Sequence, residues 1–348
     1  MSAAAKKPIK VLIIKLSSIG DVVHTLPALY SLRKGFEKKG VAARIDWLVE
    51  EAASTLLKGH PMIDNLIVVK RGWLKNYSDN KKTSALLAKE GYDMVIDFQG
   101  LLKSGVWVHL SRGKKRLGFS NAREFSHFFL NEKLPAYDIE KHAVDRYLDL
   151  AAHAGGLPGA VSFPMDVAGA KKSVEAKLKE NGLEDGFFVL VSRARWATKL
   201  WSDDKFEDLA RRIIKKTSLS AVLAGGPEDR NGLEAMRERI GEKAVNMAGL
   251  TDLKELWAMA GLSKFVVTVD SGPMHIAAAS GTPVVALFGP TAPWRTGPYG
   301  KGHAIVRKGL ECSPCFRKNC PEPKCMDGIT VDEVMAAVEV FMKAAVKG

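Results

Sequence analysis

Cysteine is scarce in this chain: four residues among 348, all between positions 312 and 325. That distribution excludes a disulfide framework spanning the fold. No run of 18 or more apolar residues occurs, which argues against a membrane-spanning helix. The first apolar segment, residues 9–16, is interrupted by Lys10 and Lys15 and lacks a small-residue cleavage site. It reads as a buried strand rather than a signal peptide, so a cytoplasmic location is expected. Low-complexity tracts and short repeats are absent. Acid is in deficit too: 39 Asp and Glu face 52 Lys and Arg, a net charge of +13. Such an excess suits an anionic partner, whether nucleic acid, a membrane surface or a phosphorylated substrate, with solubility as the plain alternative.

What is present is ordinary for a globular protein, 46% hydrophobic and 26% charged residues. The length favours two domains. Residues 10–16, 43–49, 65–69 and 94–98 read as strands. Residues 26–38, 81–90, a segment from Leu101 and 142–154 read as helices, with Leu26, Leu29, Leu32 and Phe36 at helical spacing. After a Gly- and Pro-rich stretch, 155–169, a second series follows. Its strands are 187–191, 220–223, 265–269 and 283–288, and its helices 205–216, 253–260, 274–280 and 329–346. Alternation of this kind predicts an α/β fold of two doubly wound, Rossmann-like domains facing a central cleft. The expected boundaries are 1–165 and 170–328, with a terminal helix over 329–348 that has room to pack back on the first domain. In parallel sheets, ligands sit at the carboxyl ends of strands, so the polar residues just after strands are the candidates.

The first strand ends in Ser17-Ser18-Ile19-Gly20-Asp21. Small residues there admit a ligand to the backbone. Asp21 is either a helix cap or a general base, and His24 and Thr25 stand one turn on. The loop has neither G-x-G-x-x-G nor G-x-x-x-x-G-K-[ST], so a dinucleotide site or P-loop is not supported. After the fourth strand, Gln99 and Lys103 are cleft candidates, against a capping role for Asp97. Basic residues cluster twice: Lys103, Arg112, Lys114, Lys115, Arg116 and Arg123 with no acid among them, and Lys70, Arg71 and Lys75 interleaved with Trp73 and Tyr77. Solvated faces explain most such runs, but two in one domain favour an anionic ligand there. In the second half, Arg193, Arg195 and Lys199 follow a strand, and Lys199 is placed to neutralise a phosphate. Glu228 or Asp229 could accept from ribose hydroxyls, or simply close a turn. The strongest local signal is Asp270-Ser271-Gly272-Pro273-Met274-His275. There a strand runs into a helix whose exposed amides suit a phosphate facing Ser271, Gly272 and His275, and Gly289-Pro290-Thr291 closes the next strand. Cys312, Cys315, Cys320 and Cys325, spaced C-x2-C-x4-C-x4-C, are compatible with a reduced loop or a structural zinc site.

Taken together, KVLIIKLSSIGDVVHTLPAL (10–29), DWLVEE (46–51), VIDFQGLLKS (95–104), TKLW (198–201) and FVVTVDSGPMHIAAASGTPVVALFGPT (265–291) resemble the ADP-heptose:lipopolysaccharide heptosyltransferases. The resemblance covers most of the chain. It implies a GT-B glycosyltransferase that moves heptose with inversion from ADP-heptose to the inner core (Kdo or the first heptose) of nascent lipopolysaccharide, and needs no cofactor for catalysis. By the same resemblance Asp21 is the catalytic carboxylate. Lys199 is the family's phosphate-binding lysine, Asp270, Ser271, Gly272 and His275 are its nucleotide-phosphate motif, and Glu228 or Asp229 is its ribose-binding acid. From their places after strands and in the basic clusters, Arg195 and Thr198 are expected to join the donor site, and Ser18, Gly20, His24, Lys70, Arg71, Gln99, Lys103 and Arg123 the acceptor site. The residues around Asp46 and Gln99 look like the first heptosyltransferase, the cysteine loop more like the second, and Ser202 replaces a proline common in the family. With no D-x-D motif, a metal-bridged diphosphate is not indicated. The basic excess is then read as a docking surface for an anionic lipid A–Kdo acceptor at the inner membrane's cytoplasmic face, with no nucleic acid expected. The alternatives are a relative using another nucleotide sugar, or a basic protein binding nucleic acid or membrane.

Overall fold

In a computed structural model, which describes residues 7–72, 74–183 and 186–345, the chain forms two compact units, Met1–Asp166 and Val167–Gly348. Trp73 of the second basic cluster lies outside the described residues.

The first unit has a six-stranded sheet: β1 (Ile9–Ile14), β2 (Ala43–Glu50), β3 (Asn65–Val69), β4 (Met94–Asp97), β5 (Lys115–Phe119) and β6 (Glu132–Leu134). The strand order is β3-β2-β1-β4-β5-β6, and every pair is parallel. Central strands read as near-continuous apolar runs because helices cover both faces. Accordingly, Val11, Leu12, Ile13 and Ile14 of β1 are wholly buried. Helix Ile19–Lys38 starts within a few residues of β1 and buries Val22, Val23, Leu26, Leu29, Leu32 and Phe36. It begins earlier than its apolar spacing suggests and runs through Pro27, so Asp21 occupies its first turn. It packs on helix Ala143–His153. Their approach is set by Gly35, where a Cβ would fall 2.2 Å from the carbonyl oxygen of Gly155 and 2.6 Å from Gly156. Gly155 and Gly156, read from sequence as the start of a linker, are thus fixed in the packing of the first unit.

The second unit repeats the plan with β7 (Phe187–Val191), β8 (Ser220–Leu223), β9 (Ala244–Asn246), β10 (Val266–Val269), β11 (Val284–Phe288) and β12 (Ala304–Arg307), in the order β12-β11-β10-β7-β8-β9. Numbered within each unit, both sheets have the 3-2-1-4-5-6 order of a Rossmann fold. Each places its switch point, where ligands bind, between the first and fourth strands. Helix Val331–Ala345 contributes Val334, Met335 and Val338 to the core of this unit and packs on helix Asp203–Thr217, β11 and β12.

Strands β5, β6, β9 and β12 escaped the sequence reading. Three are edge strands of three or four residues, and β5 opens on Lys115 and Arg116. None of them is long enough and apolar enough to stand out against its neighbours.

Candidate active site

At the switch point of the first unit, Ser17 and Ser18 bridge β1 and helix Ile19–Lys38. The side-chain oxygen of Gln99, just after β4, accepts the amides of Leu16 (3.1 Å) and Ser17 (3.0 Å) and pins this loop. Asp97 supports it from below: its Oδ1 accepts the amides of Gln99 and Gly100, and Oδ2 the hydroxyl of Ser104. Burial pushes Asp97 above its ordinary pKa against those bonds. Ser18 donates both its amide (3.0 Å) and hydroxyl (2.8 Å) to Oδ2 of the half-buried Asp21. Asp21 closes a capping box, and it presents a carboxylate beside Gly20 at the carboxyl end of the sheet. Lys103 donates to Ser17 Oγ (2.6 Å) and to Glu50 Oε1 (2.7 Å), so its ammonium is already engaged within the loop cluster. His24 is buried one turn along, edge-on to His142 with ring centroids 5.3 Å apart. Lys70 and Arg71 lie exposed after β3, and Arg123 after β5.

The sequence reading passed over a buried pair in this region. Lys15 is 1% exposed, and its ammonium donates to the Tyr147 hydroxyl (2.6 Å) and to the Phe98 carbonyl (2.9 Å). Burial opposes its charge, but Tyr147, Asp21 and Asp97 outweigh that and hold the ammonium above its usual pKa. Burial also pushes the Tyr147 hydroxyl up. The available signal was a lysine at the end of an otherwise apolar strand, where a charge must find partners.

Asp46 is fully buried and held by Arg44 (2.7 Å), Asn65 (2.9 Å) and Tyr92 (2.8 Å), a set that locks β2 to its neighbours. One sequence expectation changes here. The basic stretch 103–123 is not one surface. The chain climbs β4, descends helix Leu102–Leu110 and climbs again in β5. Lys103 and Arg123 therefore stand at the carboxyl end of the sheet, while Arg112, Lys114, Lys115 and Arg116 stand at the amino end. There Lys114 pairs with Asp93, Lys115 with Glu132, and Arg116 donates to the Phe129 and Gly113 carbonyls.

In the second unit, Asp270 ends β10 and is 5% exposed. Its Oδ2 accepts the Lys199 ammonium at 2.6 Å and the Thr291 hydroxyl at 2.6 Å. Lys199 also lies over the Trp196 ring, 4.7 Å from its centroid. Asp270 thus draws the segments after β7 and β11 to the start of helix Gly272–Ala279, which Ser271 precedes and in which His275 is buried. Ser192 Oγ, just after β7, is buried with no hydrogen-bond partner among the described residues. Cation, helix start and buried hydroxyl together can stabilise a departing diphosphate. Arg195 is exposed, whereas Arg193 is tied to Asp203 through its two terminal guanidinium nitrogens, Nη1 and Nη2. Asp229 Oδ2 accepts the Gly226 amide (2.9 Å) and closes its own turn, while Glu228 is exposed at the end of β8.

The four cysteines share a cavity of ≈ 90 Å³ with Thr198, Pro290 and Arg317. Thr198 donates to the Arg317 carbonyl (2.9 Å), and the amides of Cys315 and Phe316 donate to Pro290. This loop therefore buttresses the segments carrying Lys199 and Thr291. Burial pushes the Cys325 thiol up. Among the described residues, no three His, Cys, Asp or Glu side chains are grouped to hold a metal ion.

Comparison with known proteins finds that residues 82–326 match the family model described as glycosyltransferase family 9 (heptosyltransferase). Lipopolysaccharide heptosyltransferase 1 of Pseudomonas aeruginosa is 32% identical over 332 residues, 89% of this chain and 87% of that protein. Among solved structures, E. coli heptosyltransferase WaaC with ADP is 26% identical with a TM-score of 0.74, covering 96% of this chain and 100% of that one. A glycosyl transferase family 9 protein from Veillonella parvula shares the fold at a TM-score of 0.82 and 22% identity, covering 98% and 100%.

Proposed function

The chain belongs to glycosyltransferase family 9, the heptosyltransferases, and is a glycosyltransferase with two Rossmann-like units of the GT-B fold; from this we propose that it transfers heptose from ADP-heptose to the inner core of lipopolysaccharide, with Kdo as acceptor. The observation that carries the donor half of this reading is the Lys199–Asp270 contact at the start of helix Gly272–Ala279. Charge develops on the leaving ADP as the glycosidic bond breaks. Lys199, the helix amides and the Ser192 and Ser271 hydroxyls supply positive charge and hydrogen bonds without reorganising. Glu228, rather than the engaged Asp229, faces the ribose. Choice of Kdo rests on the family likeness to a protein named heptosyltransferase 1.

In the first unit Asp21 is the general base. It accepts the acceptor hydroxyl's proton as that oxygen attacks the anomeric carbon from the face opposite ADP, which inverts the centre. Ser18 orients the carboxylate through two hydrogen bonds. Lys15 and Tyr147 fill the space behind it with a buried ammonium and its hydroxyl partner. Lys70, Arg71 and Arg123 meet the acceptor's acidic groups.

ADP release from ADP-heptose, measured with acceptors that end in Kdo and with acceptors that already carry the first heptose, tests the assignment. Turnover is expected with the first kind. Asp21→Ala should lower kcat by at least about a hundredfold, as loss of a positioned base does, with ADP affinity unchanged. Turnover of that variant near the parent rate would remove Asp21 from the role, and turnover only with the second kind of acceptor would move the enzyme one sugar outward.

A further inference from the structure

The most exposed large apolar side chains among the described residues are two phenylalanines of one loop. Phe125 is 72% exposed and Phe128 71%, and their rings stack with centroids 6.2 Å apart. The loop follows β5 at the carboxyl end of the first sheet. It is fastened to the start of helix Leu102–Leu110, because Arg123 donates its amide to Gly100 (2.9 Å) and Glu124 accepts the amide of Leu102 (3.1 Å). Leu102, 48% exposed, is thereby tied to the residue that precedes Phe125. The backbone that turns Phe125 outward is costly: Glu124 and Phe125 both have positive φ, 51° and 60°. Non-glycine residues held there cost on the order of 1 kcal/mol each and persist where surrounding structure or function demands it. Water is a poor solvent for the two rings, whereas the boundary of a lipid bilayer, apolar on one side and wet on the other, is a good one.

We propose that the loop Arg123–Phe128, with Leu102, anchors the first unit to an anionic lipid bilayer. Phe125, Phe128 and Leu102 enter the acyl boundary, which sets Arg123 at the anionic surface where a lipid-borne acceptor presents its acidic groups. Charge agrees with this occupant: Arg123 is exposed beside the rings, Lys70 and Arg71 are exposed at the same end of the sheet, and the chain carries a net +13. Glu124, the one acid of the loop, is turned to the Leu102 amide. The surface thus differs from the basic stretch 112–116, whose charges stand at the other end of the sheet. The inference rests on the proposed function only in that a lipid-borne acceptor gives the enzyme a reason to meet a bilayer. The binding itself needs neither substrate.

The test is sedimentation of the full chain with vesicles of phosphatidylethanolamine and phosphatidylglycerol, and with vesicles of phosphatidylcholine alone. The variant is Phe125→Ser/Phe128→Ser, whose melting temperature and ADP affinity should match the parent's because both rings are exposed. Partition of the parent onto the anionic vesicles should exceed that onto phosphatidylcholine. The variant should lose roughly tenfold to a hundredfold of it, the worth of withdrawing one or two partly inserted rings. Turnover on a soluble, deacylated acceptor should be the same for both proteins, so failure of the function itself would show separately. Equal partition of parent and variant, binding of the parent to neither vesicle, or a variant whose only change is loss of self-association would each overturn the proposal.

Discussion

Replacing Lys199 by Met separates the structural work of this residue from its proposed chemical work. The ammonium lies 2.6 Å from Asp270 Oδ2, with 17% of the lysine side chain and 6% of the aspartate side chain exposed. Breaking a buried pair by removing one partner costs about 3–5 kcal/mol, because a desolvated charge is left behind. Here the partial exposure of Lys199 and the surviving bond from Thr291 (2.6 Å) bring the expected loss to about 2–3 kcal/mol. For a unit of this size that is a fall in Tm of roughly 4–12 °C, read by calorimetry. Adding Asp270→Asn removes the stranded charge, so the double variant should recover about 1 kcal/mol or more relative to Lys199→Met alone. ADP affinity should behave differently. Both variants lose a charge-assisted hydrogen bond to phosphate, about 1.5–3 kcal/mol, and so bind ADP about ten- to a hundredfold more weakly by titration calorimetry. A double variant less stable than the single one would refute the stranded-charge argument. Unchanged ADP affinity in both would refute the phosphate role.

Gly35→Ala places a methyl 2.2 Å from the Gly155 carbonyl, where only backbone can give way. It should destabilise the first unit by about 1–3 kcal/mol in denaturant titration, and Gly40→Ala, where positive φ but no neighbour opposes the change, should cost less. Glu333 sits at a pKa of about 2 against 4.5 in the unfolded chain, through its bond from Lys308 and those from the Thr330 amide and hydroxyl. A depressed carboxylate contributes stability that is present above pH 4.5 and lost as pH falls toward 2, so Glu333→Gln should flatten the acid limb of the stability profile in that window. Glu228→Ala should weaken ADP-heptose binding, measured as KM, without lowering Tm. Asp229→Ala should lower Tm through loss of its bond to Gly226; the reverse pattern would exchange their roles.

The placement of the candidate residues was legible because they follow strands, and in a parallel α/β fold that position puts them at the edge where ligands bind. Asp21, Lys199, Asp270 and Gln99 were read that way and stand at that edge in their units. Lys15 and Tyr147 were not, since one looks like a stray charge in a strand and the other like a helix residue 132 positions away. The cysteines were visible as a cluster, but their hydrogen-bonded support of the Lys199 and Thr291 segments is a matter of loop packing that spacing does not encode.

By itself the amino-acid sequence determined the alternation of strands and helices, and hence two doubly wound sheets. It also determined which residues lie at strand ends, because burial on both faces imposes long apolar runs that end abruptly where the chain meets ligand or water. Only the tertiary structure decided which charges are spent. Lys103, Lys114 and Lys115 are paired, Asp46 is locked inside β2, Asp229 closes a turn, and a basic stretch continuous in sequence is divided between opposite ends of a sheet. The physical reason is that a charge acts through its neighbours in space. A chain that reverses direction with every helix carries residues close in sequence, such as Lys103 and Arg112, to opposite ends of a sheet, about 1.5 Å for each residue of the helix between them, and brings distant ones into contact.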